Sequence, residues 1–407
     1  MTTQDTTTTA FASAAFVSAF LAVPALGGTV ESGDVVDDSN TRIYGDTTAG
    51  SLFVDDAASF DPLGTSVVFG RSVGSFGTGV ITGSGTVLTN QNDFIVGQNG
   101  RGDVTVSAGA VVNNGTLLTE TGGFTVGGDP DSRLLVTGSG TQFNNGGGSG
   151  RINQGTITVD DGALLKAFGD GPQVNPGRVL FTLAPSDASE SATLNVSNGG
   201  TLDMAFMFPN PGDPAQRSRL GISDVLGAGL DGTSVVNVTS GGQIVGVERI
   251  SFGSPGDAAS SLNVDGAGSL VSTFDLFSAD NGTTNVSLSN GGVIDAGGSV
   301  FLNTNANTNT LTGGTNGGNT ISITEGSQLL IGNLFGVADG DATTTLTVEG
   351  DGALLQVGTA MEIGFGATPG GTASITVADG GEIRTPDLIA SFGANDSATF
   401  NFGIGDN

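Results

Sequence analysis

SLNVDGAGSLVSTFDLFSA, residues Ser261 to Ala279, holds two short alternating runs, Leu262-Asn263-Val264 and Leu270-Val271-Ser272, on either side of an Asp-Gly-Ala-Gly turn. A third run with Leu276 and Phe277 follows a bend. Alternation of apolar and polar residues sends every second side chain to the same side of a strand. Three short strands and two bends in one stretch predict a coil wound around a core. The phrase returns as LNVSNGGTLDM (Leu194 to Met204), VNVTSGGQIVGV (Val236 to Val247), VSLSNGGVIDAGG (Val286 to Gly298), ISITEGSQLLIG (Ile321 to Gly332), LTVEGDGALLQVG (Leu346 to Gly358) and ITVADGGEIRT (Ile375 to Thr385).

The last apolar residue of each L-x-V phrase serves as an anchor. The anchors are Val54, Ile81, Val106, Val136, Val159, Val196, Val238, Val264, Leu288, Ile323, Val348, Val377 and Phe402. Most steps between them are 23 to 30 residues, and three are wider, at 37, 42 and 35. A unit of about 25 residues is the length of one three-strand turn of a right-handed parallel β-helix. The expected fold is therefore all-β, with about 13 repeats of roughly 25 residues and a rod of roughly 60 Å at an inter-strand spacing of about 4.8 Å. Outward positions read Thr, Asn or Ser, as at Asn195, Asn263, Thr345 and Thr347, and the corners are rich in Asp, Asn and Gly. Those corner residues tolerate the positive φ that a sharp bend demands. Phe69, Phe94, Phe124, Phe252, Phe277, Phe335, Phe365 and Phe392 precede an anchor by ten to thirteen residues and are read as one interior ladder at equivalent positions.

Glycine supplies 71 of 407 residues, yet apolar residues still make up 37%, enough to fill a thin core. Forty acids against 11 bases give a formal charge of -29, which repels phosphate backbones, so nucleic acid is excluded as a partner. Cysteine and histidine are absent, which removes disulfides, zinc-thiolate sites, thiol catalysis and a serine-histidine pair. Lys166 is the only lysine and Tyr44 the only tyrosine.

Residues 1–26 include the small and apolar run AFASAAFVSAFLAVPAL (Ala10 to Leu26), read as an export signal with Val23-Pro24-Ala25 offering a cleavage site, or as an apolar N-terminal cap. Its n-region carries Asp5 and no basic residue, unlike an ordinary signal. Residues 27–50 form an acidic lead-in with Asp34, Asp37, Asp38 and Asp46, and residues 51–407 the β-helix domain. The wide steps hold insertions at Gly169 to Glu190, Pro209 to Gly232, with the paired cations Arg217 and Arg219, and Asn303 to Asn319. Insertions in solenoids emerge as loops and often carry recognition; the plainer alternative is a tolerated bulge or an additional strand.

β-Helices do host enzymes, but their chemistry on acidic sugars needs clustered carboxylates beside a cationic or imidazole group. Here the paired acids Asp37-Asp38, Asp55-Asp56 and Asp160-Asp161 are strand neighbours that point to opposite sides, so no catalytic residue is assigned. Asp129-Pro130-Asp131 and Asp339-Gly340-Asp341 place two carboxylates together in turns, where weak calcium binding is the most expected; no other cofactor or metal is assigned. Sequons at Asn195, Asn237, Asn281, Asn285 and Asn395 arise from the repeat itself.

The phrase GTLxVSxGGxL, seen in ATLNVSNGGTLD (Ala192 to Asp203), TTLTVEGDGALLQVG (Thr344 to Gly358) and GTASITVADGGEIR (Gly371 to Arg384), resembles the repeats associated with type V secretion and PEP-CTERM proteins. The resemblance runs from about Ser51 to Phe402. It implies the passenger region of an autotransporter-like protein of a Gram-negative bacterium, secreted or held at the outer membrane and used for adhesion. Neither a C-terminal translocating barrel nor a Pro-Glu-Pro sorting tail lies within the 407 residues. The resemblance then implies a piece, a passenger without its anchor, or a relative using another route. The expected function is that of a non-enzymatic surface stalk whose partners are a glycan or protein receptor, an outer-membrane translocator or anchor, and other copies associated laterally. The alternatives are a polysaccharide lyase or hydrolase and a phage-like or ice-binding solenoid; regular outward threonine arrays on one flat face would mark the last.

Overall fold

Each anchor phrase forms a strand whose apolar residues turn inward, as in Ala259–Asp265, where burial alternates residue by residue. The computed structural model describes residues 28–403 except 39, 56, 63–65, 116–121, 147–148, 168–179, 205–217, 223–231, 254–258, 279–282, 303, 306–309, 314–317, 338–342, 364–371 and 391–396. The proposed leader therefore lies outside the described residues. Every described element is a strand, and the architecture is a parallel β-helix of three-strand turns.

The first face is a 14-stranded sheet. Thirteen of its strands run parallel, from Ala49–Val54 to Ser397–Phe402, and all thirteen anchors share one column, each opposite the next. Complete turns are slightly fewer than the 13 repeats expected. Ser397–Phe402 has no second or third strand after it among the described residues, and the first turn's second strand, Ser59–Phe60, is only two residues long. The other two faces are columns of short strands, represented by Val87–Asn90 and Phe94–Val96. Gln243–Phe252 and Leu270–Ser278 run unbroken from the second face onto the third. The third run of the opening stretch is thus a continuation of the second, turned at Thr273, whose hydroxyl donates to the Asp275 carbonyl at 2.9 Å. In the turn before it, Gly266 and Gly268 have φ of 90° and 83°, which only glycine adopts at little cost.

The core is one continuous cluster from Tyr44 to Ile375. The single phenylalanine ladder is corrected. Phe94 stands opposite Phe124, and Phe335 lies farther along the same column, whereas Phe69 pairs with Val96 and shares its column with Phe252, two residues along the strand. Phe277 points outward and stacks on Phe301 at 5.5 Å. Corner length varies between turns, so equal distance from the anchor does not give equal position on the third face. Phe365 and Phe392 lie outside the described residues.

The acidic lead-in is strand. Thr29–Gly33 runs antiparallel to Ala49–Val54, and Val35–Asp37 antiparallel to Thr41–Tyr44. Its charges are paired: Arg42 binds Glu31 and Asp37, and Arg71 binds Asp38 and Asp46. The buried Tyr44 hydroxyl donates to Glu31 at 2.6 Å. Burial and the neighbouring carboxylate push the Tyr44 pKa well above its ordinary 10.0. Burial raises the Glu31 pKa, but hydrogen bonds from Arg42 and Tyr44 outweigh it and leave the carboxyl below its ordinary 4.5. A carboxyl with a depressed folded pKa stabilises fully above its unfolded pKa and loses that contribution as pH falls through the folded one. With no tryptophan and one tyrosine, emission reports this cap alone. Tyr44 emission should change with a midpoint below pH 4.5, and Glu31→Gln should abolish the transition. A midpoint at or above that value would contradict the network.

Candidate functional surface

Because alternation sends every second residue of the first face outward, side chains one turn apart stand beside one another in columns. Near the N-terminal end these columns bring rare cations together. Asp103 stands opposite Arg133 and accepts its guanidinium at 2.6 Å, while Arg101 lies 3.8 Å from Asp131. The hydrogen bond to Asp103 raises the Arg133 pKa. The Arg101 guanidinium also lies 5.1 Å from the centre of the Phe76 ring. An open groove of about 480 Å³ is lined by three of these four, Arg101, Asp131 and Arg133, with Thr105, Leu135, Thr156 and Thr158. The carboxylates of Asp131 in the lining and of Asp103, which holds Arg133, offset the two guanidiniums, and the threonine hydroxyls suit a polar, hydroxylated ligand.

The second cationic feature is the one the sequence marked. Arg217 lies outside the described residues, but Arg219 is buried in the strand Arg219–Ile222 and donates to the Ser251 hydroxyl at 2.7 Å. It stands opposite Arg249, which stands opposite Asp275. The Arg249 guanidinium covers the Phe277 ring at 4.1 Å. Both cations thus have partners within the fold, Arg249 a ring and Arg219 a hydroxyl. Lys166 is outward on Leu164–Ala167, between Asn144 and Asp203 in neighbouring turns.

Two of the carboxylate pairs do not converge, and in the third Asp56 lies outside the described residues. Asp37 faces Arg42 and Asp38 faces Arg71; Asp160 accepts from Ser197 and Asn198 at 2.8 Å each, while Asp161 occupies the turn with φ of 53°. In the candidate calcium turn, Asp129 accepts the Asp131 backbone N–H at 2.9 Å and Asp131 faces Arg101. Among the described residues no group of three or more acidic, cysteine or histidine side chains is placed to hold a metal ion. Asp339 to Asp341 lies outside them.

No protein-family model, curated protein or solved structure matches this chain.

The outward columns also bear on the sequons and on threonine. The Asn195 side chain accepts from Asn237, and Asn237 from Asn263, at 2.9 and 2.8 Å, so these amides form a surface ladder. Threonine fills all three outward positions only in Thr343–Glu349; elsewhere serine, asparagine, glycine and Val235 interrupt it, so the array is mixed. The Asn303 to Asn319 insertion contains a small antiparallel ribbon of Thr304–Asn305 and Thr310–Gly313. Sequence reading passed over a buried ladder: Asn90 donates to Asn114 at 2.7 Å, and Asn114 to Asn145 at 2.8 Å. Its signal is the final asparagine in VLTN, VVNN and QFNN, residues 87–90, 111–114 and 142–145.

Proposed function

We propose that this chain is a non-catalytic, adhesin-like rod of a secreted or cell-surface protein. The observation that carries the reading is the unbroken register of thirteen parallel strands over one core. Successive turns share ladder hydrogen bonds and buried side chains, so bending the rod means breaking both. Such a stack is suited to hold recognition segments at a distance from an anchor, and the extra residues of the wide steps are the candidates to meet a glycan or protein receptor. The likeness of its repeat to those of type V secretion and PEP-CTERM proteins supports the location and an outer-membrane translocator or anchor as partner. Protease added to intact source cells should remove the chain while leaving cytoplasmic markers whole, and the purified rod should bind the surface of cells stripped of it. Full protection in intact cells, released only on lysis, would contradict the proposal.

A further inference from the structure

On eight successive strands of the first face, from Ser191–Ser197 to Ser397–Phe402, three outward columns stand in register from turn to turn. They hold only serine, threonine and asparagine apart from Ala259, Gly318 and Val235, and none of the positions is buried. No charged side chain interrupts them in a chain of net charge -29. Beyond them lie acids: Asp265 and Glu349 end two of the strands in a fourth outward column, and Glu325, Asp351 and Asp379 stand in the turns that follow. The face is therefore a flat neutral strip with an acidic rim.

We propose that this strip is the surface through which a second copy of the chain docks laterally, strip against strip about a two-fold axis. The purified chain meets this test wherever the rod resides, so the inference stands apart from the surface-rod reading. Charge selects the partner: two rods of like charge approach most cheaply where neither presents a carboxylate. Size permits it. Three columns on eight strands span five residues each, roughly 35 Å by 15 Å, or about 500 Å² per copy and about 1,000 Å² in all, the lower bound of a specific interface. The chemistry suits a dry contact. Small side chains let two sheets close to about 10 Å, and the Asn195, Asn237 and Asn263 amides already bond along their own column, leaving fewer groups to satisfy across the interface. A sugar-binding platform would want aromatic rings, and these columns hold none.

The acidic rim gives the association an unusual dependence on salt. Raising ionic strength from about 0.01 M to about 1 M shortens the screening length from about 30 Å to about 3 Å, which weakens rim repulsion. Sedimentation equilibrium of the whole chain should show the mass rising with salt from one chain of 40.0 kDa towards two. Thr345→Asp and Thr320→Asp, neighbours in the middle column, should each hold the protein as a monomer at high salt with an unchanged melting temperature. Gln328→Asp, outward on the second face, should leave dimerisation intact. A monomer at every salt concentration, a mass that falls with salt, or a dimer indifferent to Thr345→Asp and Thr320→Asp would overturn the proposal.

Discussion

Replacing Phe181 by alanine is expected to destabilise the protein by about 3–5 kcal/mol, as for other fully buried phenylalanines. Phe181 is fully buried, and its column reads Phe124, Gly150, Phe181 over three successive turns. A Cβ on Gly150 would stand 2.5 Å from Phe124 Cε1 and 2.9 Å from Phe181 Cδ2. The glycine is the space in which the two rings meet across the turn between them, with centroids 5.6 Å apart. Removing one ring opens a cavity and also loses a ring contact of about 0.5–1.5 kcal/mol. Gly150→Ala alone should be destabilising, because the methyl collides with both rings. In the Phe181→Ala background its cost should shrink, a non-additivity expected of residues that share one space. Urea midpoints at unchanged slope measure these differences. Phe402→Ala, at a side chain 73% exposed, should shift stability by no more than about 0.5 kcal/mol. Equal effects at Phe181 and Phe402, or strict additivity of Gly150→Ala and Phe181→Ala, would contradict the packing described.

Asn114→Ala is the second large effect. The Asn114 amide joins two turns: its oxygen accepts from Asn90, and its nitrogen donates to Asn145 at 2.8 Å and to the Gly123 carbonyl at 3.1 Å. All three asparagines are fully buried. Alanine removes the Asn114 donor from Asn145 Oδ1, and loss of a partner at a buried polar group costs about 1–3 kcal/mol. The Gly123 carbonyl keeps the Phe94 N–H at 3.0 Å, so the loss should centre on the Asn145 side. The corner amides report it directly, since Gly115 donates to Asn90 O and Gly146 to Asn114 O. Hydrogen exchange of both should quicken in Asn114→Ala. Asn144→Ala, which removes a half-buried outward amide that donates to Asn113 at 3.0 Å, should leave them unchanged. Faster exchange in Asn144→Ala than in Asn114→Ala would reverse the assignment of the interior ladder.

The first face was legible because its strands repeat one phrase. Inward Val196, Val238 and Val264 lie at the same offset within LNV, VNV and LNV, so the pattern alone set the register. The third face was not, because the corner from a third strand to the next first-face strand has no constant length: Phe76 follows Phe69 by seven residues, but Arg101 follows Val96 by five. That shift moved Phe69 and Phe252 to a column different from that of Phe94 and Phe335. Asn90, Asn114 and Asn145 were hidden for another reason: asparagine at the end of a strand is the ordinary sign of a turn, and only the fold shows it facing inward. In the lead-in, Asp37, Asp38 and Asp46 read as a solvated acidic run because their cations, Arg42 and Arg71, become neighbours only once the chain has doubled back. Arg219 was recognisable as unusual, but its burial against Ser251 depends on the strand one turn away.

The central claim is that successive turns stack in parallel with the anchors in one column, even across the insertions. Ser287 and Ser322 stand opposite each other although 35 residues separate them, with the Asn303 to Asn319 insertion between. Neighbouring strands lie about 4.8 Å apart, within the roughly 4.4–6.8 Å between Cα atoms that a disulfide spans. The chain has no cysteine of its own, so Ser287→Cys with Ser322→Cys can be oxidised without competition and the bond located by peptide mapping. The fold predicts rapid, near-complete formation of that intramolecular bond. It predicts little for Ser287→Cys with Gln328→Cys, whose positions lie on different faces of the solenoid. Preferential linkage in the second pair, or none in the first, would contradict the stacked register on which the whole account rests.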